Sequence, residues 1–561
     1  MDRPEMTAPP VGSPQGSEGA SPKSLVRASA VMSIGTILSR VTGLLRLIAI
    51  TAALGVAEGR LADSYNLANM VPNLLYYLIL GGILAAVFVP VFVELLEKEG
   101  RDKAWETASA LINVVLIVLT GVTILGILAA PWIAEFYAAR LEGQEGQAQQ
   151  EALTFLMRLL IPQIVFYGLS AMVTGLLNAH KRFGAPMYTP VLGNIAVIIV
   201  FIGFHRAYGE VGLDASSGQL SIIGLGTTLG VALMAVAQLP FLRGLGRYRL
   251  TISLRDPSIR KVARLSMFVM AYMLVTQLGY LFIQWLANGQ QGGYSAYIAA
   301  YTFYLLPISL FVLSVTTALL PDMSSHAVHA RWDEFRDRFS LGIRATVFLV
   351  LPAAAGYLVI GRPMIEVLLE NGVMTAQSID LVWEVLALMA LGLPQGAVFT
   401  FLIRAFYSMQ DTKSPFLIVS VVTALHAAIN FPLFEWMGVA GIALGQTLVH
   451  SVGIVVGGRA LGAKIGGIDA ARIRQSALRV LFATVSMAAV VWVIHRGLDE
   501  VLSGAGTPGQ VLNLASSVTS GVVAYLALAH ALHVEELQYI RRLFGTRLAR
   551  ARGGPDGPPL E

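Results

Sequence analysis

The stretch MSIGTILSRVTGLLRLIAITAALG, Met32 to Gly55, decides how the rest of the chain is read. It is long and apolar enough to cross a bilayer, yet it carries Arg40 and Arg46. About 20 apolar residues in a helix cross roughly 30 Å of hydrocarbon. Windows of that kind recur along the chain, centred near Leu38, Leu78, Val118, Val165, Val197, Val231, Met273, Ile308, Val350, Ala390, Val422, Leu448, Val485 and Val522. Inside lipid such stretches satisfy their backbone only as helices, so the expected fold is all-α and integral to the membrane, with fourteen transmembrane helices. The composition agrees, because 55% hydrophobic residues, 13% charged residues and a mean hydropathy of +0.68 lie far from the soluble range.

Several chemistries fall away. The chain has no cysteine, which removes disulfides, thiolate metal sites and cysteine nucleophiles. It has no G-x-x-x-x-G-K-[ST] phosphate loop, G-x-S-x-G elbow or H-E-x-x-H motif, so neither ATP hydrolysis nor metalloprotease chemistry is expected. His326 and His329 are three residues apart without an accompanying carboxylate set and read as a solvated helix, so neither a metal nor a cofactor is expected. A net charge of +5 gives no reason to expect a nucleic-acid partner. Residues 1–24, rich in Pro, Gly and Ser, read as a disordered tail, and 541–561 as a basic, partly disordered one. The apolar run from Ala28 to Leu54 is too long for the core of a signal peptide and is read as an uncleaved first span.

The basic residues give the direction of the chain. If the N-terminus is cytoplasmic, Arg60, Arg140, Arg206, Arg362 and Arg496 fall outside and Arg40, Arg46 and Arg158 fall within spans. The remaining 31 of the 39 Lys and Arg then lie on the cytoplasmic side. That asymmetry places both termini in the cytoplasm. The most basic loop, Arg243 to Arg264, reads mainly as a topology and headgroup anchor. Prolines also recur at an offset near 231: Pro90 with Pro321, Pro131 with Pro363, Pro162 with Pro394 and Pro186 with Pro415. Six spans per repeat is an even number, so the two halves run in the same orientation and spans thirteen and fourteen are appended.

Within the first span, steps of about 100° put Ser33, Thr36, Ser39, Arg40, Thr42, Gly43 and Arg46 on one half of the circumference, with Met32 and Leu47 as apolar exceptions. Ile34, Ile37, Leu38, Val41, Leu44, Leu45 and Ile48 fill the other half. Arg40 is near mid-span, far from both headgroup layers. Snorkelling or a structural ion pair is one account of the two arginines. The favoured one is a wet cavity in which guanidinium forks hold an anionic ligand. Arg158, in FLMRLLIP, is a further cavity cation or a helix-end anchor; Asp63 partners Arg46 or caps its own helix. Asp411, in YSMQDTKSP beside Lys413, is placed to cap or latch cytoplasmic helix ends between the halves, and Gly43 is a candidate hinge.

The segments ILSRVTGLLR, NMVPNLLYYLILGG, LLNAHKRFGAPMYTPVLGN and RAFYSMQDTKSP together resemble the MurJ (MviN) family of lipid II flippases, in the multidrug/oligosaccharidyl-lipid/polysaccharide exporter superfamily. The likeness runs from about Ser24 to Leu532. It implies an N-lobe (25–250), a C-lobe (251–462) and a lipid-tail groove formed by the last two helices (463–540). It also implies a transporter rather than an enzyme, working by alternating access in the bacterial inner membrane. Lipid II or a similar polyprenyl-pyrophosphate lipid is the implied substrate, with membrane lipids and cell-wall synthesis proteins as the implied partners. By the shared motif Arg40 and Arg46 take the headgroup-binding positions, and Asp63 matches an acidic one. Tyr76 and Thr302 stand where many relatives carry arginine. Without an ATPase motif, the energy has to come from an ion gradient or the membrane potential. A flippase for another polyprenyl-linked saccharide and a cation-coupled multidrug exporter are the competing functions, and a non-transporting scaffold is a more distant one. Reporter fusions test the topology: those at Gly146 and Gly504 should report outside and one at Gly553 inside, and a cytoplasmic signal from Gly146 would break the scheme.

Overall fold

The computed structural model describes residues 22–80, 89–251, 273–502 and 504–537, and the described residues are helical with no strand. Most of both expected disordered tails, and residues 252–264 of the basic loop, lie outside them. The helices are α1 (Pro22–Leu54), α2 (Leu61–Leu80), α3 (Val89–Lys98), α4 (Arg101–Ala138), α5 (Gly143–Leu160), α6 (Gln163–Ala179), α7 (Gly184–Tyr208) and α8 (Ser217–Val236). After the undescribed stretch come α9 (Met273–Ala287), α10 (Gly293–Pro307) and, through a π-turn over Ile308–Val312, α11 (Leu313–Val328). The chain continues with α12 (Trp332–Leu369), α13 (Ala376–Leu391), α14 (Leu393–Ser408), α15 (Lys413–Met437), α16 (Val439–Ile465), α17 (Ala470–Leu502) and α18 (Gly506–Ala531). Eleven helical segments are long and apolar enough to cross a membrane, or twelve if the α13–α14 pair, bent by 51°, is one span. The expected count of fourteen is thus higher than the described helices give. α9 is short for a span, and both α2 and α9 border undescribed residues.

The internal repeat is written in the backbone. Left-handed residues pair at an offset of 229 or 230: Gly100 with Ala330, Gly143 with Gly372, Lys181 with Gln410, and Gly209 with Gly438. Each closes or opens a helix. The helices between them match in length, 38 residues for both α4 and α12 and 25 for both α7 and α15. Pro162 and Pro394 mark the same event in both halves, the break between α5 and α6 and that between α13 and α14.

Breaking a helix inside lipid frees carbonyls that no water can reach, and each must find a donor. Thr228 Oγ1 donates to the Leu159 carbonyl at the first break (2.8 Å), and Thr447 Oγ1 to the Leu388 carbonyl at the second (3.1 Å). Prolines deeper in the bundle are handled likewise. Pro307 cannot donate to the carbonyl of Phe303, which instead accepts from Tyr357 Oη at 2.8 Å. Pro352 leaves the carbonyl of Phe348 to Tyr525 Oη, at 2.6 Å. The second of these bonds also seats the α17–α18 hairpin on α12.

The first span follows its sequence pattern on one side. Ile34, Ile37, Leu38, Val41 and Leu45 are exposed, as residues facing lipid are. The polar half splits. Gly35, Ser39 and Thr42 are spent on packing against α7, where Asn194 Nδ2 donates to Thr42 Oγ1 (3.1 Å) and to the Ser39 carbonyl (3.4 Å). Gly35 permits the approach, since a Cβ there would fall 2.7 Å from Met187 Cβ. Gly43, the candidate hinge, is a different case: a Cβ would meet only Asn194 Nδ2, at 3.9 Å, so this conformation does not require glycine there. Gly35→Val should therefore cost about 1–3 kcal/mol by overpacking, whereas Gly43→Ala should change stability by less than about 0.5 kcal/mol. Thermal unfolding of the purified protein in detergent checks both.

Candidate functional site

The polar residues that α1 does not use for packing include its two arginines. Arg40 is exposed and Arg46 half-buried, and neither has a hydrogen bond or ion pair among the described residues. They are 120° apart around the helix, because six residues advance it by 600°. Arg46 points toward α2, where its charge acts on the buried hydroxyl of Tyr65. Arg158 is exposed on α5, where with Gln147, Gln150, Glu151 and Thr154 it borders an open depression of about 440 Å³. Arg40, Arg46 and Arg158 are thus unpaired among the described residues, in helices long and apolar enough to cross a membrane.

The two halves are bonded to each other at one end of the bundle, around the α1–α2 loop. Asp63 is fully buried there and does neither thing expected of it: it pairs with no arginine and caps a helix other than its own. Its Oδ1 accepts from the backbone N–H (2.8 Å) and hydroxyl (2.7 Å) of Ser295, and its Oδ2 from the N–H of Gly292 (2.8 Å). A carboxylate of the first half therefore caps α10 of the second, where the helix dipole favours negative charge. Around it Asn66 Nδ2 donates to Ser295 Oγ at 3.0 Å, and Gln149 and Asn288 exchange side-chain bonds. Glu58 accepts from Thr375 N–H and Ser378 Oγ of the second half and from its own neighbour Val56 N–H. Burial pushes the Glu58 pKa up, but the bonds from Ser378, Thr375 and Val56 outweigh it and hold the carboxylate below its ordinary value.

Two arginines counted in the sequence only as outward-facing charges carry much of this closure. Arg60 is buried, bonded through Nε to Glu145 at 2.6 Å and through Nη1 to the carbonyl of Asn288 at 2.9 Å. Arg140 pairs with Glu435 and sits over the rings of Trp285, Phe431 and Phe434, 5.1, 5.6 and 5.2 Å from their centroids. No spacing in the sequence signals these contacts, because their partners lie more than 140 residues away, apart from Glu145.

The ion pairs at the opposite end stay within one part of the chain. Asp411 was expected to cap or latch helix ends between the halves, and in the structure it caps a helix of its own half. Its Oδ1 caps α15, accepting from Lys413 N–H (3.1 Å) and Ser414 N–H (3.0 Å), and its Oδ2 pairs with Lys464 at the end of α16. Lys413 itself is exposed and lends only that backbone donor. Arg344, buried in α12, meets Glu535 and the buried Glu536 beyond α18.

Set against known proteins, this sequence matches the family model described as lipid II flippase MurJ over residues 50–505. The chain belongs to that family. Relatives spanning nearly the whole chain are a probable lipid II flippase MurJ of Rhizobium meliloti, 27% identical over 92% of this chain and 96% of the relative, and another of Bdellovibrio bacteriovorus, 28% identical over 93% and 97%. A lipid II flippase MurJ of Burkholderia cenocepacia is 29% identical over 75% of this chain and 80% of its own. Among solved structures, a lipid II flippase MurJ in an inward closed conformation superposes with a TM-score of 0.72 at 21% identity, covering 90% of this chain and 99% of that one. A multidrug transporter of the MATE family in an inward-facing conformation gives 0.64 at 14% identity, over 79% and 98%. The fold is that of MurJ and MATE transporters, in a membrane protein with many spans.

For a member of the MurJ family, the Asp411 cap is a stability element of the second half that can be checked directly. Although burial opposes ionisation, Lys464 and Ser414 hold its pKa down to about 2. A depressed carboxylate contributes stability above its ordinary pKa of 3.8 and loses it as pH falls toward 2. Melting of the wild type should thus show no Asp411-dependent change from pH 8 to 5. Asp411→Ala should lower stability across that window by about 1 kcal/mol, the usual value of a lost cap.

Proposed function

We propose that this protein is a lipid II flippase. It carries the undecaprenyl-pyrophosphate-linked peptidoglycan precursor from the cytoplasmic to the outer leaflet of the bacterial inner membrane by alternating access, without ATP hydrolysis. The carrying observation is the unpaired state of Arg40 and Arg46 on α1, in a molecule whose halves are bonded to each other at one end. An unpaired cation within a span is costly unless it meets water or an anion, and a guanidinium fork fits a phosphate or carboxylate oxygen pair. The chain's polarity, with both termini cytoplasmic, puts the bonded end outside. The cleft between the N-lobe and the C-lobe is then open to the cytoplasm, the side on which the precursor is made.

The exposed apolar surfaces of α17 and α18, including Phe482, Val485, Val518 and Val522, supply the groove for the polyprenyl tail. Fourteen spans complete the scheme. An ion gradient or the membrane potential, the latter worth about 2.3 kcal/mol per charge per 100 mV, is the energy source. A different polyprenyl-linked saccharide is the second reading, and one observation favours it. Tyr76 is engaged with the ring of Tyr167 (5.5 Å) and Thr302 with the Ile298 carbonyl, so two positions often cationic in the family contribute no charge to the cavity.

The test places Arg40→Ala, Arg46→Ala and the corresponding Lys variants in cells depleted of the native protein, with membrane abundance and precursor translocation measured together. Each Ala variant should insert normally and lose at least about tenfold in translocation, the value of one charge-assisted hydrogen bond. The Lys variants should be impaired as well, because a point charge lacks the fork. Wild-type translocation by both Ala variants would remove the assignment of the headgroup site. Identifying the lipid that accumulates on depletion separates the two readings.

A further inference from the structure

The helices α15 and α16 form a hairpin that turns at Gly438, and each carries a histidine twelve residues from that turn, His426 before it and His450 after it. At 1.5 Å per residue both imidazoles lie about 18 Å from the end of the hairpin, near the middle of the hydrocarbon. His450 Nδ1 and His426 Nε2 are out of contact with solvent and have no hydrogen-bond partner among the described residues. One turn nearer Gly438, Asn430 is completely buried with both side-chain polar atoms equally unpartnered, pressed so closely on α16 that a Cβ at Gly445 would fall 1.8 Å from its Oδ1. Buried polar groups are ordinarily paired, and a concentration of unpaired ones at mid-membrane calls for a ligand.

The chemistry of the surroundings selects the ligand. Tyr304 Oη and His450 Nδ1 both border the space above Gly396, and the His450 ring stacks on Phe399 at 5.5 Å. The titratable groups on the neighbouring helices are the tyrosines of α10 (Tyr297, Tyr301 and Tyr304) and Tyr280 of α9. α13 and α14 bring no charged side chain to this layer among the described residues. No group of three or more His, Asp or Glu that could hold a metal occurs among them either. A metal cation would find no carboxylate there. A proton needs only an imidazole nitrogen, with neutral oxygens such as those of Asn430 and Tyr304 to accept from the N–H.

We propose that His426 and His450 form a proton-binding site that sets the equilibrium between the two access states. The pair takes one proton, because each imidazole acts electrostatically on the other and the first charge opposes a second. The site is coupled to the closure by short steps along one helix. Phe431, Phe434 and Glu435 hold Arg140 of the first half and follow His426 within nine residues of α15. A cation at these imidazoles, to which no carboxylate is bonded among the described residues, disfavours the arrangement seen here. Protonation therefore loosens the outer end of α15, releases Arg140 and shifts the protein toward the outward-open state, and loss of the proton restores the bonded one. The site stands on geometry alone; only its use in driving transport rests on the flippase reading.

The absence of native cysteine makes the test direct. Spin labels at Glu99→Cys and Val328→Cys, exposed positions at the end opposite the closure, report the separation of the halves there in liposomes without substrate. Lowering the pH from 8 to 5.5 should raise the population with the shorter separation about threefold or more. His450→Gln and His426→Gln, with His450→Asn as a second substitution, should keep the wild-type distribution at pH 8 and lose the acid response. A wild-type distribution that ignores pH, an acid response that survives in the histidine variants, or a shift that follows sodium in place of potassium at constant pH would each overturn the proposal. A failed flipping assay with this response intact would instead count against the substrate assignment.

Discussion

A backbone that crosses lipid must satisfy its own polar groups, and the rest of this structure depends on how the chain meets that demand where its helices break. Each break described here is placed against a side-chain hydroxyl: Thr228 at the α5–α6 break, Thr447 at the α13–α14 break, Tyr357 above Pro307 and Tyr525 above Pro352. The two threonine bonds are equivalent in the repeat. A single solution to one physical problem is thus used twice, and it explains why the prolines keep a nearly constant offset.

The same economy governs the charges. Arginines within packed or closed regions are engaged, Arg60 with Glu145 and Asn288 and Arg344 through Nη1 with Glu535 and Glu536, although Arg344 Nε has no partner among the described residues. Arg40 and Arg46 are left without a hydrogen bond or ion pair among the described residues. Closure is also mostly made of neutral donors meeting carboxylates, with Asp63 and Glu58 accepting from serine, threonine and backbone N–H groups. Bonds of that kind are short-ranged and directional, so the halves can separate without leaving a charge pair to be pulled apart across a low dielectric. Arg140 in its cage of aromatic rings is the exception, and it ties the closure to α15.

What could be read in advance divides along this line. All fourteen apolar centres fall on helices, and the lipid face of α1 was visible as Ile34, Ile37, Leu38, Val41 and Leu45, because hydrophobicity and helical period are local properties. The repeat was visible through its prolines for the same reason. Asp63 was read as a partner of Arg46 or a cap of its own helix and not as the cap of α10, and Asp411 as a cap or latch but not as one confined to its own half. Gly43 and Gly35 look alike in sequence, and only the position of Met187 on α7 makes one of them obligatory.

By itself, the sequence determined that this is an all-α membrane protein whose two halves repeat one pattern, with arginines in its first span and a family resemblance carried by short motifs. These follow from composition, period and order, which need no knowledge of what meets what. Tertiary structure alone decided which polar residues are consumed by packing and which stay available. It spent Ser39 and Thr42 on α7, Asp63 on the far half and Arg60 on Asn288, left Arg40 and Arg46 free, and brought His426 and His450 to one depth. The physical reason is that a hydrogen bond or ion pair depends on a few ångströms between groups hundreds of residues apart, and that distance is a property of the folded bundle and of no segment within it.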